Sequence, residues 1–371
     1  MSLHLFAVTI PGLEPLTAAE LRALGASGVA ATGGGVTFSG SPELLWRANL
    51  ELRTATRILL RVGAIDASSL DALRRNAATV PWGRLLGPVG DLRVAATCHA
   101  SRIYHTGAAA QRVEAAIREA TAAMPGAPPV TVVARIHKDR CTLSVDSSGE
   151  PLHRRGWRQE TAKAPLRETL AAALLAFAGW SGDTPLVDPL CGSGTIAIEA
   201  ALLAMRRPPG AGRSFAFMSW PGFDAARWEA LRGESLGRAL DAPPVPIQAS
   251  DRDAGAVEAT RRNAERAGVA AHLRIDVRAV SAVEPSAPGG LVACNPPYGG
   301  RMGGPDLRNL YAALGNLLRG PLRGYGLALL TTDRTLATAT GLRLASESPP
   351  LAHGGLRVRA YTFGATSATG G

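Results

Sequence analysis

Residues 186–195 read Leu-Val-Asp-Pro-Leu-Cys-Gly-Ser-Gly-Thr, and apolar residues at helical spacing follow to Met205. Leu186 and Val187 form a short apolar strand that stops at Asp188-Pro189, and Gly192 and Gly194 allow a sharp turn that a ligand can approach closely. A helix beginning at Thr195 would present unpaired backbone N–H groups to that ligand. Strand, glycine turn and helix in this order open a nucleotide-binding α/β sheet. By itself the turn is ambiguous, because Gly192-x-Gly194-x-x-Ala197 also fits a dinucleotide fingerprint.

The sequence beyond the turn repeats the alternation. Strands are expected at Val245–Ser250, His272–Ile275, Gly290–Cys294 and Gly324–Leu330, with helices at Ala254–Ala267 and Leu307–Leu318. A helix is also expected over Leu166–Gly179, ahead of the turn. This pattern predicts an α/β fold, an open and mostly parallel doubly wound sheet. The strand ending Ala249-Ser250-Asp251 places a carboxylate where ribose hydroxyls would donate to it, while Asp253 caps the following helix. Asp251 lies far beyond the roughly twenty residues that separate turn and acid in the dinucleotide fingerprint, which weighs against a nicotinamide cofactor. Asp276, just past the next strand, could accept from an adenine amino group or simply cap a turn.

The sharpest feature is Leu291-Val292-Ala293-Cys294-Asn295-Pro296-Pro297-Tyr298-Gly299. An apolar strand ends at Asn295, whose amide oxygen can accept from a substrate amine, and the Pro296 carbonyl can accept the second amine hydrogen. Pro296 and Pro297 fix the local backbone, so both acceptors aim at one point. Tyr298 offers a flat face for a flipped base. Such a corner suits methyl transfer to an amine, in which developing charge on nitrogen is stabilised by the two oxygens. A rigid Pro-Pro loop with an incidental Asn and Tyr is the bland alternative.

Upstream, residues 1–64 alternate short strands (Leu3–Ile10, Val36–Phe38, Thr56–Ala64) with helices at Leu16–Leu24 and Ser41–Ala48. Residues 65–153 carry helices at Leu70–Ala78 and Ala108–Ala123 and strands at Leu92–Thr97, Val130–His137 and Arg140–Asp146. Both stretches read as α+β modules, followed by a linker at 154–165 and the doubly wound domain at 166–371. Residues 206–246, rich in Pro, Gly, Arg and aromatics, read as irregular.

The net charge of +10 favours a polyanionic partner. The cations are 38 Arg and two Lys, with an excess of five positive charges on each side of residue 157, so charge alone locates no binding surface. Arg154, Arg155 and Arg158 at the domain junction, and Arg206, Arg207 and Arg213 in the irregular stretch, are candidates for RNA-backbone contact; a solvated linker and a packed excursion are the alternatives. Cys98, Cys141, Cys191 and Cys294 show neither disulfide pairing nor metal-ligand spacing, so no metal is expected. The start MSLHLFAVTIPGLE has no basic leader region, and the longest apolar run, Thr169–Trp180, is too short to span a bilayer. A cytoplasmic protein without a membrane partner is the expectation.

Asn295-Pro296-Pro297-Tyr298 together with DPLCGSGT at 188–195 resembles class I S-adenosylmethionine-dependent methyltransferases acting on exocyclic amines of bases. The string HRRGWRQETAKAPLRETLAAALL at 153–175, with DPLCGSGTIAIEAAL and the Arg-, Pro- and aromatic-bearing insertion at 206–228, is similar to the bacterial large-subunit rRNA guanine-N2 methyltransferases. The likeness is specific from about His153 to Gly303. It implies a Rossmann-like catalytic domain preceded by ferredoxin-like and RNA-binding THUMP domains. It implies that Pro165 to Glu168, Asp188 and Cys191, Gly192, Ser193, Gly194 and Thr195 border S-adenosylmethionine, with Asp251 on the ribose, Asp276 on the adenine and Asn295 at both cofactor and base. The implied substrate is 23S rRNA or a pre-ribosomal particle. Some relatives carry a second methyltransferase domain that this chain is too short to hold, which keeps tRNA as an alternative substrate. A DNA adenine methyltransferase and a non-catalytic ribosome-assembly factor are the remaining alternatives.

Overall fold

A computed structural model describes residues 2–160, 166–298 and 304–364. Met1–Thr9, Thr17–Leu152 and Arg213–Gly233 make up unit 1, while Ile10–Leu16, His153–Gly212 and Glu234–Gly371 make up unit 2.

In unit 1, β1 (Leu3–Thr9), β2 (Ser27–Thr32), β3 (Gly35–Gly40), β4 (Ala55–Asp66), β5 (Leu92–His99), β6 (Val130–His137) and β7 (Arg140–Asp146) form one sheet in the order β2-β3-β1-β4-β7-β6-β5. Its helices are α1 (Glu14–Ala23) from Thr17 onward, α2 (Pro42–Glu51), α3 (Leu70–Ala77), α4 (Trp82–Leu86), α5 (Thr106–Ala120) and the first part of a later helix, Ala225–Gly237. Ser41 Oγ accepts from Leu44 N at the start of α2, and Pro42 occupies the first turn, where its missing N–H costs nothing. The twelve-residue β4 pairs with β1 through Leu5↔Leu60 and with β7 through Leu59↔Asp146. The border expected at residue 64 therefore falls inside a shared strand, and the two α+β modules form one continuous sheet. β6 and β7 join at Lys138 and Asp139, whose φ values of 50° and 57° suit a two-residue hairpin turn. β2 escaped the sequence reading because its Ser-Gly-Val-Ala-Ala-Thr residues are almost all exposed and show no apolar alternation.

Unit 2 follows the predicted plan. It contains α6 (Glu168–Phe177), β8 (Leu186–Asp188), α7 (Thr195–Ala204), the end of α8 (Ala225–Gly237), β9 (Ile247–Asp251), α9 (Ala254–Arg266) and β10 (Leu273–Val277). Then come β11 (Gly290–Cys294), α10 (Gly304–Arg319), β12 (Tyr325–Thr331), α11 (Arg334–Thr338), β13 (Leu344–Glu347), β14 (Leu351–His353) and β15 (Leu356–Phe363). The sheet order is β10-β9-β8-β11-β12-β15-β13. The first five strands are parallel, and β15 runs antiparallel between β12 and β13 and also pairs with β14. β8 and β12 are buried at every position, as strands covered on both faces must be. The apolar run at Thr169–Trp180 is accounted for by α6, which packs with α7 in one core. Among the described residues no helix is long and apolar enough to cross a membrane.

Residues 213–233 correct the irregular reading of 206–246. Ala225–Gly237 is a thirteen-residue helix, and the segment before it inserts Phe215 and Phe217 into the core of unit 1. Trp46 on α2 stacks on Phe217 at 5.9 Å and meets Trp228 edge-on at 6.3 Å. Phe217 lies 5.2 Å from Trp228, also edge-on, in the geometry that aromatic quadrupoles favour.

Candidate functional site

From β8 the chain steps to β9 and β10 on one side of the sheet, and β11 and β12 lie on the other. The carboxyl ends of β8 and β11 thus flank a topological switch point, where open α/β sheets hold their ligands. Asp188 ends β8, and Asn295 follows β11 directly.

The glycine turn between β8 and α7 is held from several sides. Gly192 and Gly194 have φ values of 54° and 85°, in the left-handed region. A Cβ on Gly194 would meet Thr260 Cγ2 at 2.7 Å, so only glycine fits there. Cys191 N donates to the Ser250 carbonyl at 2.9 Å, and Thr260 Oγ1 donates to the Gly192 carbonyl at 2.9 Å. Asp251 Oδ2 accepts from Gly192 N at 3.1 Å and Oδ1 accepts from Asp253 N at 3.1 Å. A carboxylate has about four lone-pair sites, so Asp251 is fixed in orientation yet keeps capacity for two hydroxyls. Asp253 caps α9 by accepting from Gly255 N, as expected.

Two acceptors at the switch point have no hydrogen-bond partner among the described residues. One is Asp188 Oδ2; its other oxygen accepts from Leu190 N at 3.3 Å. The other is Asn295 Oδ1. A buried unsatisfied polar atom costs about 1–3 kcal/mol, so two at the ends of neighbouring strands are placed to meet a ligand's donors. Burial, and then the charge of Asp251, push the Asp188 carboxyl well above the usual carboxylate range. Cys191 and Cys294 are buried beside it with their thiols pushed up by burial, which suits small apolar fillers better than nucleophiles. Tyr298 packs partly against both apolar clusters of unit 2.

The sequence reading missed α9 as the organiser of this site. Asn263, buried on α9, donates through Nδ2 to the Ser193 carbonyl at 3.0 Å and to the Glu160 carbonyl at 3.1 Å. Its Oδ1 accepts from the backbone N–H groups of Gln159 and Glu160, both at 3.2 Å, and from Arg266. One amide therefore ties the segment before residue 161 to the glycine turn. Replacing Asn263 by alanine is expected to weaken affinity for the cofactor that the sequence implies about tenfold or more, since it orphans the buried Ser193 carbonyl and several part-buried backbone groups at once. Calorimetric titration with S-adenosylhomocysteine checks this, and unchanged affinity would contradict it.

The arginines at the junction behave differently from expectation. Arg155 is buried, with Nε 3.4 Å from Glu199 Oε1 on α7, so it is no RNA contact. Arg158 donates to Glu168 Oε2 at 2.7 Å and to the Leu166 carbonyl at 2.6 Å, at the start of α6. Glu168 and Glu199 are buried in apolar helices and require these cations. Arg213, in unit 1, donates to the carbonyls of Ser148, Glu150 and Pro151, a packing role rather than an RNA contact. Arg207 donates to the Gly268 carbonyl, while Arg154 and Arg206 are exposed. Asp276 lies within β10 rather than past it, with its carboxylate 2.9 Å from Arg274 Nε. Pro165 lies outside the described residues. Among the described residues no group of three or more His, Cys, Asp or Glu is placed to hold a metal ion.

Burial pushes the Glu168 carboxyl up to about 7, despite the Arg158 guanidinium. A raised carboxyl binds its proton more tightly in the folded chain, so the stability it confers is complete below about pH 4.5. That stability is lost as pH rises through about 7. The thermal midpoint is expected to fall over that window for this group, and Glu168→Gln should flatten the dependence; parallel melting curves test it.

Comparison with known proteins agrees with this geometry. Residues 155–359 match the family model described as RMKL-like, methyltransferase domain. The chain belongs to this family. Residues 4–59 match the RlmL ferredoxin-like domain and residues 67–146 the THUMP domain. The ribosomal RNA large subunit methyltransferase K/L of Syntrophotalea carbinolica is 40% identical over 96% of this chain and 53% of its own length. A Synechocystis protein described as a candidate RNA methyltransferase is 34% identical over 95% of this chain and 94% of its own. The chain spans about half the length of the large-subunit relatives it matches. A solved structure described as a candidate methyltransferase complexed with SAH is 29% identical, with a TM-score of 0.90 over 98% of each chain. S-adenosylmethionine is the cofactor of this family. The residues present fit it: two left-handed glycines, a fixed carboxylate at Asp251 and the orphaned oxygen of Asp188.

Proposed function

We propose that the chain methylates RNA, at the exocyclic 2-amino group of a guanine in 23S rRNA or a pre-ribosomal particle. The observation that carries the reading is Asn295 Oδ1, without a partner among the described residues, at the end of the strand next to β8 and followed by Pro296-Pro297-Tyr298. The names of the large-subunit relatives and the THUMP match support RNA as the substrate.

In this reading Gly192 to Thr195 and Asp188 hold the methionine portion of the cofactor, and Asp251 accepts from its ribose hydroxyls. When bound, the cofactor supplies an electrophilic methyl group on sulfonium sulfur. Asn295 Oδ1 and the Pro296 carbonyl accept from the two amine hydrogens, which aims the nitrogen lone pair and stabilises positive charge growing on nitrogen. Tyr298 stacks on the extruded base. No strong base is required, because the product ammonium loses its proton readily to water. Asp251→Ala is expected to raise the cofactor dissociation constant at least tenfold while RNA affinity stays within about twofold, in line with the loss of a charged acceptor. Equal loss of both affinities would contradict separate sites. A cytoplasmic location accompanies this reading.

Nucleoside mass spectrometry of naked rRNA, ribosomal particles and tRNA, each incubated with the purified chain and labelled cofactor, tests the proposal. N2-methylguanosine in rRNA supports it. Methylated adenine, label confined to tRNA, or no transfer by protein that binds the cofactor would overturn it.

A further inference from the structure

One strand of the unit 2 sheet overshoots its neighbours. Thr331, the last residue of β12, pairs with Arg359, so β15 begins three residues beyond it, at Leu356. The overhang rises on the carboxyl side of the parallel strands, the side on which Asp188 and Asn295 lie. β14 pairs with it through Leu351↔Val358 and His353↔Leu356. Gly354 and Gly355 close this hairpin with φ values of 56° and 82°, the two left-handed residues that a tight turn of this hand needs. Its base is fixed. Leu351 and Val358 are 2% and 0% exposed in the core shared by α6 and α7, and Ser348 Oγ accepts from Ala360 N at 2.9 Å. At the tip, by contrast, Leu356 is 43% exposed. A lone leucine on a surface is ordinary, but this one stands on a rigid projection above the ligand side of the sheet.

Strand alternation gives the direction of the tip. Ala293 of β11, Leu330 of β12 and Val358 and Ala360 of β15 lie in the core shared by α6 and α7, whereas Cys294, Leu329 and Tyr361 lie in the core against α10. Asn295 continues the series of Ala293, and Leu356 continues that of Val358 and Ala360, so both stand on the same side of the sheet. The register puts Asn295 level with Leu330 and Ala360, two strands across from Leu356 and four residues below it. At about 4.8 Å between strands and about 3.3 Å per residue, the two are about 16 Å apart. That is too far for both to touch one base. Arg357, on the opposite side of the tip, is exposed and forms no ion pair among the described residues. One leucine and one cation are too little surface for a stable protein interface, which buries about 800 Å² on each partner. They suit a polyanion with an apolar, stacked interior.

We propose that Leu356 is a wedge. As the target guanine is drawn out to Asn295 and Tyr298, the leucine enters the base stack that the guanine leaves, and Arg357 meets a neighbouring phosphate. Apolar side chains inserted between bases hold a distorted nucleic acid open, and extrusion of a base leaves such a gap to fill. The separation from Asn295 decides the role: Leu356 stays with the stack while the base travels to the corner. It is therefore a positioning residue that favours the extruded state and never touches the reacting amine. This inference rests on the reading of a guanine in RNA as the target, but it concerns the opening of RNA, which needs no methyl transfer.

The test is dimethyl sulfate probing of a 23S rRNA transcript, free and saturated with the full chain and S-adenosylhomocysteine. The unchanged chain is expected to make bases beside its site newly reactive, by about fivefold or more, as unstacking exposes them. Leu356→Ala should abolish that gain while affinity for the transcript changes less than about threefold, and Leu356→Phe, which keeps an apolar wedge, should retain it. In single turnovers with S-adenosylmethionine, Leu356→Ala should lower the rate of transfer about tenfold or more, and Leu356→Phe less than about threefold. The side chain is exposed at a hairpin tip, so melting curves and affinity for S-adenosylhomocysteine should overlay. The proposal is overturned if the unchanged chain opens no bases or if Leu356→Ala opens the same ones. It is equally overturned if Leu356→Phe fails as Leu356→Ala does, or if the rate falls only in proportion to RNA affinity. Opening of the transcript without transfer to guanine would sink the proposed reaction and leave the wedge standing, and transfer to guanine at full rate by Leu356→Ala would do the reverse.

Discussion

Asn295→Ala is expected to lower the single-turnover rate of the proposed methyl transfer to RNA by about a hundred- to a thousandfold, the usual effect of removing one preorganised group that stabilises charge in a transition state. Cofactor affinity measured by calorimetry should change by less than about threefold, because the glycine turn and Asp251 are held by other residues. Folding should be indifferent or slightly improved. The Asn295 oxygen makes no hydrogen bond among the described residues, so its removal breaks none and relieves an unsatisfied acceptor. A site whose deletion leaves stability unharmed while activity collapses is one maintained for chemistry. If transfer persisted at more than about a tenth of the original rate, the amine-holding role of Asn295 would be wrong.

The second large effect lies in unit 1. Trp228→Ala should destabilise that unit by about 3–5 kcal/mol, the range for emptying a buried aromatic site. Its indole is buried and makes edge contacts with Trp46, Phe215 and Phe217 at 5.2–6.3 Å. For a unit of this size the thermal midpoint should drop by roughly 6–20 °C. Arg232→Ala, a surface change on the same helix, should stay within about 0.5 kcal/mol. Calorimetric scans of the three proteins compare these values directly. A small effect of Trp228→Ala would mean that residues 213–233 are an appendage and not part of the core.

The sequence was most legible where a short segment carries both its structure and its chemistry. The glycine turn, Asp251 with its neighbouring cap at Asp253, and the Asn295–Tyr298 corner each need only a strand end and the few residues after it. Partnerships across the fold were not legible. Asn263 is a polar residue in the buried stripe of α9, beside Val257, Thr260 and Ala264, and that misfit in the helical period was the available signal. Arg155 and Arg158 read as candidates for RNA contact or as a solvated linker because nothing local shows that Glu168 and Glu199 sit in apolar helices and require cations. Had Glu199 been read as a lone acid inside Ile-Ala-Ile-Glu-Ala-Ala-Leu-Leu, the pairing would have been the natural expectation. The strands β13 to β15 were missed for a different reason. Their segments are short, partly exposed and interrupted by Pro349-Pro350 and Gly354-Gly355, so alternation never accumulates.

The aromatic insertion also sets a clock on biosynthesis. Unit 1 takes its first strands from the beginning of the chain, yet Phe215, Phe217, Trp228 and Leu231 are the last pieces of its core. A ribosome that has finished β7 must add roughly 80 more residues before those side chains exist, which takes roughly 4–16 s at about 5–20 residues per second. During that interval the three rings that Trp46 meets in the folded chain, Phe217, Phe223 and Trp228, have not yet been made. The N-terminal half therefore cannot mature strictly in order of synthesis. Its completion is coupled to translation of the methyltransferase domain, so a prematurely terminated chain is left visibly unfinished to the proteases and chaperones that survey the ribosome exit.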